Sequence, residues 1–182
     1  EDPKIKEKLK EYSQTLIQQI DVMSSIASAF SDFAKMPTQK KEDINIIEVV
    51  KLALDIFNEA YISYQYEENE IIASVDKTQL IRIVTNLVTN ATQATEGIEN
   101  PDIIVKVVSN KEEIQILVTD NGKGIDEEVS HLIFEPKFTT KSSGMGLGLP
   151  MIKKIIEAYD GEIKFTSQEG KGTTFSVILP KK

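Results

Sequence analysis

Apolar residues in the first 35 positions recur at intervals of seven, four, three, four, three and four. They are Leu9, Leu16, Ile20, Met23, Ala27, Phe30 and Ala34. This heptad stripe predicts one long helix that starts near Pro3 and ends before Pro37 and the polar stretch 38–43. Because so long a helix overhangs a small domain, we favour half of an antiparallel helix pair that dimerises into a four-helix bundle. A surface helix packed on its own domain is the alternative.

From residue 44 onward, helical and strand-like patterns follow one another. Apolar positions at helical spacing predict helices over 46–57, from Asp76 to residue 91, and over 150–159. Strand-like runs fall at 61–66, 71–75, 103–108, 114–119, 162–166 and 173–179. These elements predict the α+β class, as a two-layer α/β sandwich in which helices cover one face of a single mixed sheet. The long N-terminal helix precedes this sandwich.

Composition and charge exclude several kinds of function. The 182 residues include 29 acidic and 21 basic side chains, a balance that disfavours a general nucleic-acid binder. The lack of cysteine excludes disulfides, thiolate nucleophiles and cysteine-based zinc sites, and a single histidine excludes a two-histidine metal motif. The apolar runs are too short to cross a membrane, so no membrane segment is expected in this chain. Since the chain begins without methionine, we expect a fragment of a longer protein.

Two asparagines mark the helix that follows Asp76. Asn86 and Asn90 are four residues apart and therefore share one helix face. Because asparagine is a poor helix former, the presence of two asparagines within one helix needs a structural or functional explanation. Amide oxygens are suitable Mg²⁺ ligands and amide N–H groups donate to phosphate. A buried polar pair that caps a neighbouring loop is the alternative.

Three loop segments carry further candidate chemistry. Residues 120–125 (D-N-G-K-G-I) follow a strand, where the glycines allow close approach to a ligand or form a plain turn. Residues 134–141 (F-E-P-K-F-T-T-K) suit a loop that shields a nucleotide, or one that is simply solvated. Residues 144–150 (G-M-G-L-G-L-P) run into a helix, where backbone N–H groups make an anion site. Their spacing matches neither the P-loop nor the dinucleotide fingerprint.

In this order, the four segments resemble the ATP-binding domain of sensor histidine kinases, within the wider superfamily of Bergerat-fold ATPases. The resemblance covers residues 44–180 and is greatest to nitrogen-regulation-type kinases. Residues 19–34 are similar to the second helix of the dimerisation hairpin of these kinases. The resemblance thus implies two domains: 1–37 as that helix, without the helix that carries the phosphoacceptor histidine, and 43–182 as the ATP-binding catalytic domain.

The resemblance implies a function and partners. ATP and Mg²⁺ would be the cofactors, and the γ-phosphoryl group would pass to a histidine on the absent helix and then to an aspartate of a response-regulator receiver domain. The N-terminal helix would form a homodimer, with no nucleic-acid partner. The chain would be a cytoplasmic portion, and whether its parent is anchored to the inner membrane is left open. A nucleotide-binding pseudokinase or scaffold, acting through the dimer helix, and a hydrolytic Bergerat-fold ATPase are the alternatives.

The resemblance also assigns roles to individual residues. Asn90 would hold Mg²⁺, Asn86 would lie beside the phosphates, and Asp120 would accept from the adenine amino group. Thr173 would reach the adenine through water, while Arg82 would contact the γ-phosphate or form a salt bridge. The candidate nucleotide-binding residues are Arg82, Asn86, Asn90, Asp120, Gly122, Gly124, Ile125, Phe134, Lys137, Thr139, Thr140, Lys141, Gly144, Gly146, Leu147, Gly148, Leu149 and Thr173.

The chain departs from the family pattern in ways that bear on mechanism. Gln93 and Ala94 stand where many such kinases carry a lysine and an aromatic residue, so Lys137 or Lys141 would meet the phosphate charge. Hydrolytic members of the superfamily have a glutamate base where Asn86 stands. An amide cannot take a proton from water, which favours transfer over hydrolysis. His131 is expected to be a surface or lid-packing residue.

Overall fold

The chain divides into two compact units, Glu1–Thr38 and Gln39–Lys182. A computed structural model describes residues 8, 12–20, 23–24, 31, 39–136 and 146–181. In the first unit the described residues are helical, and residues 12–20 form helix α1. No helix in these described ranges is long and apolar enough to cross a membrane. The assignment of 1–37 to a dimerisation hairpin and of 43–182 to a catalytic domain stays a prediction.

The apolar stripe of the first unit is exposed where it is described. The exposed fractions of its large apolar side chains lie between 58% and 68%. These residues are Leu16, Ile20 and Met23 of the stripe, together with the adjacent Ile17 and with Tyr12, which lies outside the predicted stripe. The other stripe positions, Leu9, Ala27, Phe30 and Ala34, lie outside the described residues.

The second unit contains seven strands and four helices in its described part. The strands are β1 (Glu42–Asn45), β2 (Ile62–Tyr66), β3 (Ile72–Val75), β4 (Ile103–Ser109), β5 (Glu113–Asp120), β6 (Glu162–Gln168) and β7 (Gly172–Pro180). The helices are α2 (Ile46–Leu54), α3 (Lys77–Ala94), α4 (Glu127–Ser130) and α5 (Gly148–Glu157). Five strands form one sheet in the order β2-β4-β5-β7-β6, in which the β2–β4 pair is parallel and the other pairs are antiparallel.

This architecture confirms the predicted α+β class with helices on a mixed sheet. The single-sheet detail is wrong, because β3 pairs antiparallel with β1 in a separate two-stranded sheet. Strand β1 begins in the polar stretch that predicts a break, and its first two residues are exposed. Strand β1 has only four residues and none of them is fully buried, so hydrophobic alternation does not reveal it.

The helices cover one face of the five-stranded sheet. Alternate residues along β4 and β5 are buried under them, and α3 packs on β4, β5 and β7. Helix α5 packs on β6 and β7, while α2 packs against α3. The buried side of α3 consists mainly of Leu80, Ile83, Val84, Leu87, Val88 and Ala91. Asn86 and Asn90 lie outside this stripe, so the core does not explain why they occur in α3.

Asp76 joins the start of α3 to the segment that precedes β1. Its Oδ1 accepts hydrogen bonds from Thr78 N at 2.9 Å and Gln79 N at 3.1 Å, while Oδ2 accepts from Lys40 N at 2.8 Å. The backbone N–H of Asp76 donates to the Tyr159 hydroxyl, which donates to Gln79 Oε1. Burial raises the pKa of the Asp76 carboxyl, but the three N–H donors and the Lys40 charge outweigh burial and hold this pKa below its ordinary value.

We expect Asp76→Asn to cost about 1 kcal/mol of stability at pH 7, because asparagine still caps a helix but loses the charge-assisted bonds. The pKa of Asp76 is lower in the folded chain than in the unfolded one. The carboxylate therefore contributes stability above its unfolded pKa, and this contribution is lost as the pH falls through the folded pKa. Urea unfolding between pH 7 and pH 3 should show the two proteins converging in acid. A difference independent of pH would contradict this prediction, and Asp126→Asn, at the exposed cap of α4, is the control.

Candidate functional site

Helix α3, which carries the two asparagines, meets the glycine-rich segment that ends at Pro150 where α5 begins. A Cβ atom on Gly148 would lie 3.0 Å from Asn86 Oδ1, so the start of α5 approaches α3 closely. Helix α5 begins at Gly148, two residues before the predicted start, and its N-cap Leu147 makes no side-chain capping bond. The first turn of α5 therefore lacks the side-chain acceptor that usually satisfies such N–H groups. Backbone N–H groups at a helix start suit an anion.

Helix α3 orients the side chain of Asn86. Asn86 Nδ2 donates to the carbonyl oxygen of Arg82 at 2.8 Å, which leaves its Oδ1 atom on the side of Gly148. Arg82 Nη1 lies 3.5 Å from Met151 Sδ on α5. Asn90 follows one turn later and is half-buried. The structure thus brings Arg82 and Asn86 to the start of α5, and the phosphate and salt-bridge roles of Arg82 stay predictions.

The segment 120–125 is hydrogen-bonded to the end of α3. Asp120 ends β5 and is only 6% exposed, and its Oδ1 accepts from Gly122 N at 2.9 Å. A Cβ atom on Gly122 would lie 2.5 Å from the carbonyl oxygen of Ala94, so only glycine fits. The same carbonyl accepts from Lys123 N at 3.1 Å. Ala94, which stands where many of the kinases that the chain resembles carry an aromatic residue, thus supports this loop through its backbone.

The turn between β6 and β7 holds the other side of the same loop. The carbonyl of Lys123 accepts from Gly170 N at 2.8 Å, and Ile125 N donates to Ser167 Oγ at 2.8 Å. Gly124 has φ +73°, and a Cβ atom there would overlap the carbonyl of Gln168. Hydrogen bonds therefore hold the loop from both sides, and Asp120 lies at its start.

Thr173 lies beside Asp120 in the sheet. The two residues are cross-strand partners between β5 and β7, and both are buried. Cross-strand partners in an antiparallel pair place their side chains on the same face within contact distance. The predicted adenine-side residues thus lie together, which sequence spacing alone does not require.

Phe134, the first residue of the segment 134–141, packs on the core. Phe134 stacks edge-to-face against Phe165 with ring centroids 6.0 Å apart, and Lys153 Nζ lies 5.7 Å from the centre of the Phe134 ring. The roles of Lys137, Thr139, Thr140, Lys141 and Gly144 stay predictions, because these residues lie outside the described ones. His131 is exposed at the C-cap of α4.

Sequence analysis missed Ser167. Its hydroxyl contacts Ile125 N, the carbonyl of Gly172 and Thr173 Oγ1. A signal exists in the pattern of β6, where the partly buried positions are Ile163, Phe165 and Ser167. A polar residue at an inward strand position calls for polar partners.

The donor set fits a nucleotide accompanied by a magnesium ion. In the part of the chain that the structure describes, no three His, Cys, Asp or Glu residues are grouped to hold a metal. Mg²⁺ commonly takes one or two protein ligands and completes its shell with phosphates and water. A single amide oxygen from Asn90, one helical turn beyond Asn86 on α3, is compatible with this pattern.

Comparison with known proteins gives concordant matches. The model of the family described as histidine kinase-, DNA gyrase B-, and HSP90-like ATPase matches residues 75–182. An NtrY-like sensor histidine kinase of Rickettsia conorii is 31% identical over 96% of this chain and 30% of its own length. The sensor histidine kinase ZraS of Salmonella typhimurium is 30% identical over 93% of this chain and 38% of its own length. The chain therefore spans about a third of the length of the curated relatives it matches.

Solved structures agree with the sequence matches. The catalytic domain of the histidine kinase ThkA superposes with a TM-score of 0.69 and 30% identity, covering 78% of this chain and 96% of that one. The crystal structure of ThkA in complex with the response regulator protein TrrA gives a TM-score of 0.75 and 26% identity. This second match covers 100% of the chain and 53% of the other.

Proposed function

Because the chain belongs to the family of histidine kinase-, DNA gyrase B-, and HSP90-like ATPases, we propose that it is the ATP-binding catalytic part of a sensor histidine kinase. It binds Mg·ATP and positions the γ-phosphoryl group for transfer to a histidine on a helix outside this chain. The phosphoryl group then passes to an aspartate in the receiver domain of a response regulator. The observation that carries this proposal is the close approach of Asn86 to the start of α5.

The proposed nucleotide site has an adenine side and a phosphate side. Asp120 is acceptor-only when ionised and therefore suits the exocyclic amino group of adenine. The backbone N–H groups at the start of α5 suit the phosphates, and Asn86 and Arg82 flank that start. When bound with ATP through Asn90, magnesium supplies charge neutralisation to the phosphates. Positioning by these groups is the main task of a phosphoryl-transfer site.

The side chain of Asn86 supports transfer rather than hydrolysis. Its amide nitrogen donates to the carbonyl of Arg82 and its Oδ1 atom lies on the side of Gly148. Neither atom of an amide takes a proton from water at neutral pH. The pocket therefore holds ATP without activating water at this position.

The exposed apolar side chains of α1 support a homodimer through the N-terminal helix. Large apolar groups repeated along one helix are usually covered by a partner helix. Tyr12, Leu16 and Ile20 repeat at four-residue intervals in the described stretch and are exposed. Size-exclusion chromatography at two concentrations tests this: a strictly monomeric chain would contradict it.

Calorimetric titration with ATP and GTP, each with and without Mg²⁺, tests the nucleotide site. We expect magnesium-assisted binding that prefers ATP, because Asp120 accepts from an amino group and repels the 6-oxo group of guanine. Absence of binding to either nucleotide would contradict the proposal and favour a scaffold. Equal affinity for ATP and GTP would contradict the assigned adenine contact.

We expect Asn90→Ala to remove the gain in ATP affinity that Mg²⁺ provides, about tenfold, while leaving binding without Mg²⁺ nearly unchanged. Alanine favours the helix, so α3 should remain folded. The same titrations on Thr89→Ala, an exposed neighbour in α3, provide the control. If Mg²⁺ still improves ATP binding in Asn90→Ala as in the wild type, the ion is held elsewhere.

A further inference from the structure

We propose that Ser167 sets the base preference of the nucleotide site by fixing the direction of the Thr173 hydroxyl. The inference rests on the proposed function, since it concerns the adenine side of the same pocket. Ser167 acts through Thr173 and is therefore a positioning residue.

Three polar neighbours surround the hydroxyl oxygen of Ser167. Ile125 N lies at 2.8 Å, the carbonyl oxygen of Gly172 at 3.0 Å and Thr173 Oγ1 at 2.9 Å. The β6–β7 register fixes this arrangement, because Ser167 and Thr173 are cross-strand partners. Thr173 is in turn the partner of Asp120 on β5, so the three side chains form one row across the sheet.

Counting protons assigns a direction to each of these hydrogen bonds. A backbone N–H only donates and a carbonyl oxygen only accepts, while a serine hydroxyl has one proton and two lone pairs. The Ser167 proton therefore goes to the carbonyl of Gly172, and one lone pair accepts from Ile125 N. The remaining lone pair faces Thr173, so the Thr173 hydroxyl donates its proton to Ser167.

This direction makes Thr173 an acceptor toward the pocket. Its single proton is engaged with Ser167, and only lone pairs remain for an incoming group. Asp120, its cross-strand neighbour, is also an acceptor when ionised. Two acceptors side by side favour a donor, namely the 6-amino group of adenine and a water bound to it. They disfavour a 6-oxo purine, which places an acceptor at the same position.

Ser167→Ala tests the inference in the full chain, with ATP and inosine triphosphate as probes. Inosine lacks the 2-amino group of guanine, so the comparison is confined to positions 1 and 6, where a 6-oxo group and an N1–H replace the 6-amino group and the N1 lone pair of adenine. In Ser167→Ala the Thr173 proton is released and turns toward the base. We expect the preference for ATP over inosine triphosphate to fall about tenfold, as for one hydrogen bond.

Three further variants show whether an effect of Ser167→Ala comes from the direction of the Thr173 hydroxyl or from a general loss of structure. Ser167→Thr keeps the hydroxyl and should keep the full preference. Thr174→Ala removes a hydroxyl pair of similar length, Thr119 to Thr174 at 3.0 Å, on the opposite face of the sheet, and should also keep it. Thr173→Val removes the acceptor and should reduce the preference by itself. Adding Ser167→Ala to Thr173→Val should then change nothing further, because the two residues act in series.

Each result either supports or overturns the inference. A wild-type chain that binds neither nucleotide contradicts the proposed function, and this inference with it. If the wild type prefers ATP but Ser167→Ala weakens both nucleotides equally, Ser167 has only a structural role. A full preference in Ser167→Ala likewise overturns the inference alone, whatever the result for Thr173→Val. If Ser167→Ala fails to fold, a full preference in Thr173→Val still overturns the inference, because valine suits a strand and this variant should fold.

Discussion

Replacing Asp120 with asparagine is expected to lower ATP affinity about a hundredfold while the fold persists. Asparagine keeps an oxygen that can accept from Gly122 N, so the loop after β5 retains its support. The second carboxylate oxygen is replaced by an N–H₂ group. This group is a donor that faces the adenine amino group, which is also a donor, so no hydrogen bond forms between them. A charged hydrogen bond is worth about 1.5–3 kcal/mol, and the introduced mismatch adds to its loss.

Calorimetry with Mg·ATP measures this loss, and a thermal melt checks the fold. Asp102→Asn is the matched control, because Asp102 is an exposed carboxylate whose backbone bonds Asn121 in the same loop. It removes one negative charge nearby and should change ATP affinity less than about twofold. Unchanged ATP affinity in Asp120→Asn would move the adenine contact elsewhere and favour a scaffold function.

Gly172→Ala is expected to destabilise the second unit by about 3 kcal/mol or more and to abolish measurable ATP binding. Gly172 has φ +113°, and a Cβ atom there would overlap the carbonyl oxygen of Asp120. Relief of the overlap separates β7 from β5 at the end that carries Asp120 and Thr173. Both predicted adenine-side groups therefore move together.

Gly170→Ala is the control for Gly172→Ala. Gly170 also has a positive φ, +73°, but a Cβ atom there would meet nothing within 4 Å. It should therefore cost about 1 kcal/mol for backbone strain alone and preserve ATP binding. Urea unfolding compares the two variants. Similar unfolding free energies for the two variants would show that the close approach of Gly172 to Asp120 does not affect stability.

The fold class was predictable because its signals are local. The stripe of Leu80, Ile83, Leu87 and Ala91 follows helical spacing and needs no knowledge of the rest of the chain. Alternation along β4 and β5 is equally local. The kinase resemblance is confirmed as well, since it rests on four segments whose order and residue types are visible in the sequence.

The contacts that shape the site were not predictable from spacing. Ser167 bonds Ile125 across 42 positions, and this pairing exists only once β6 and β7 have their register. Gly148 approaches Asn86 because α5 packs on α3. The spacing of apolar residues along the sequence does not reveal which two helices pack together. Asp76 was predicted as a helix cap, but its bond to Lys40 depends on where the segment before β1 lies.

The order of strands in the sheet has a consequence for biosynthesis. Strand β7 lies between β5 and β6 although it follows both in sequence. Until residues 172–180 have left the ribosome, β5 presents an unpaired edge rich in isoleucine and valine, and β6 has no neighbour. Such edges pair with other nascent chains unless a chaperone shields them. A messenger truncated before the codon of Gly172 therefore yields an aggregation-prone chain that also lacks Thr173.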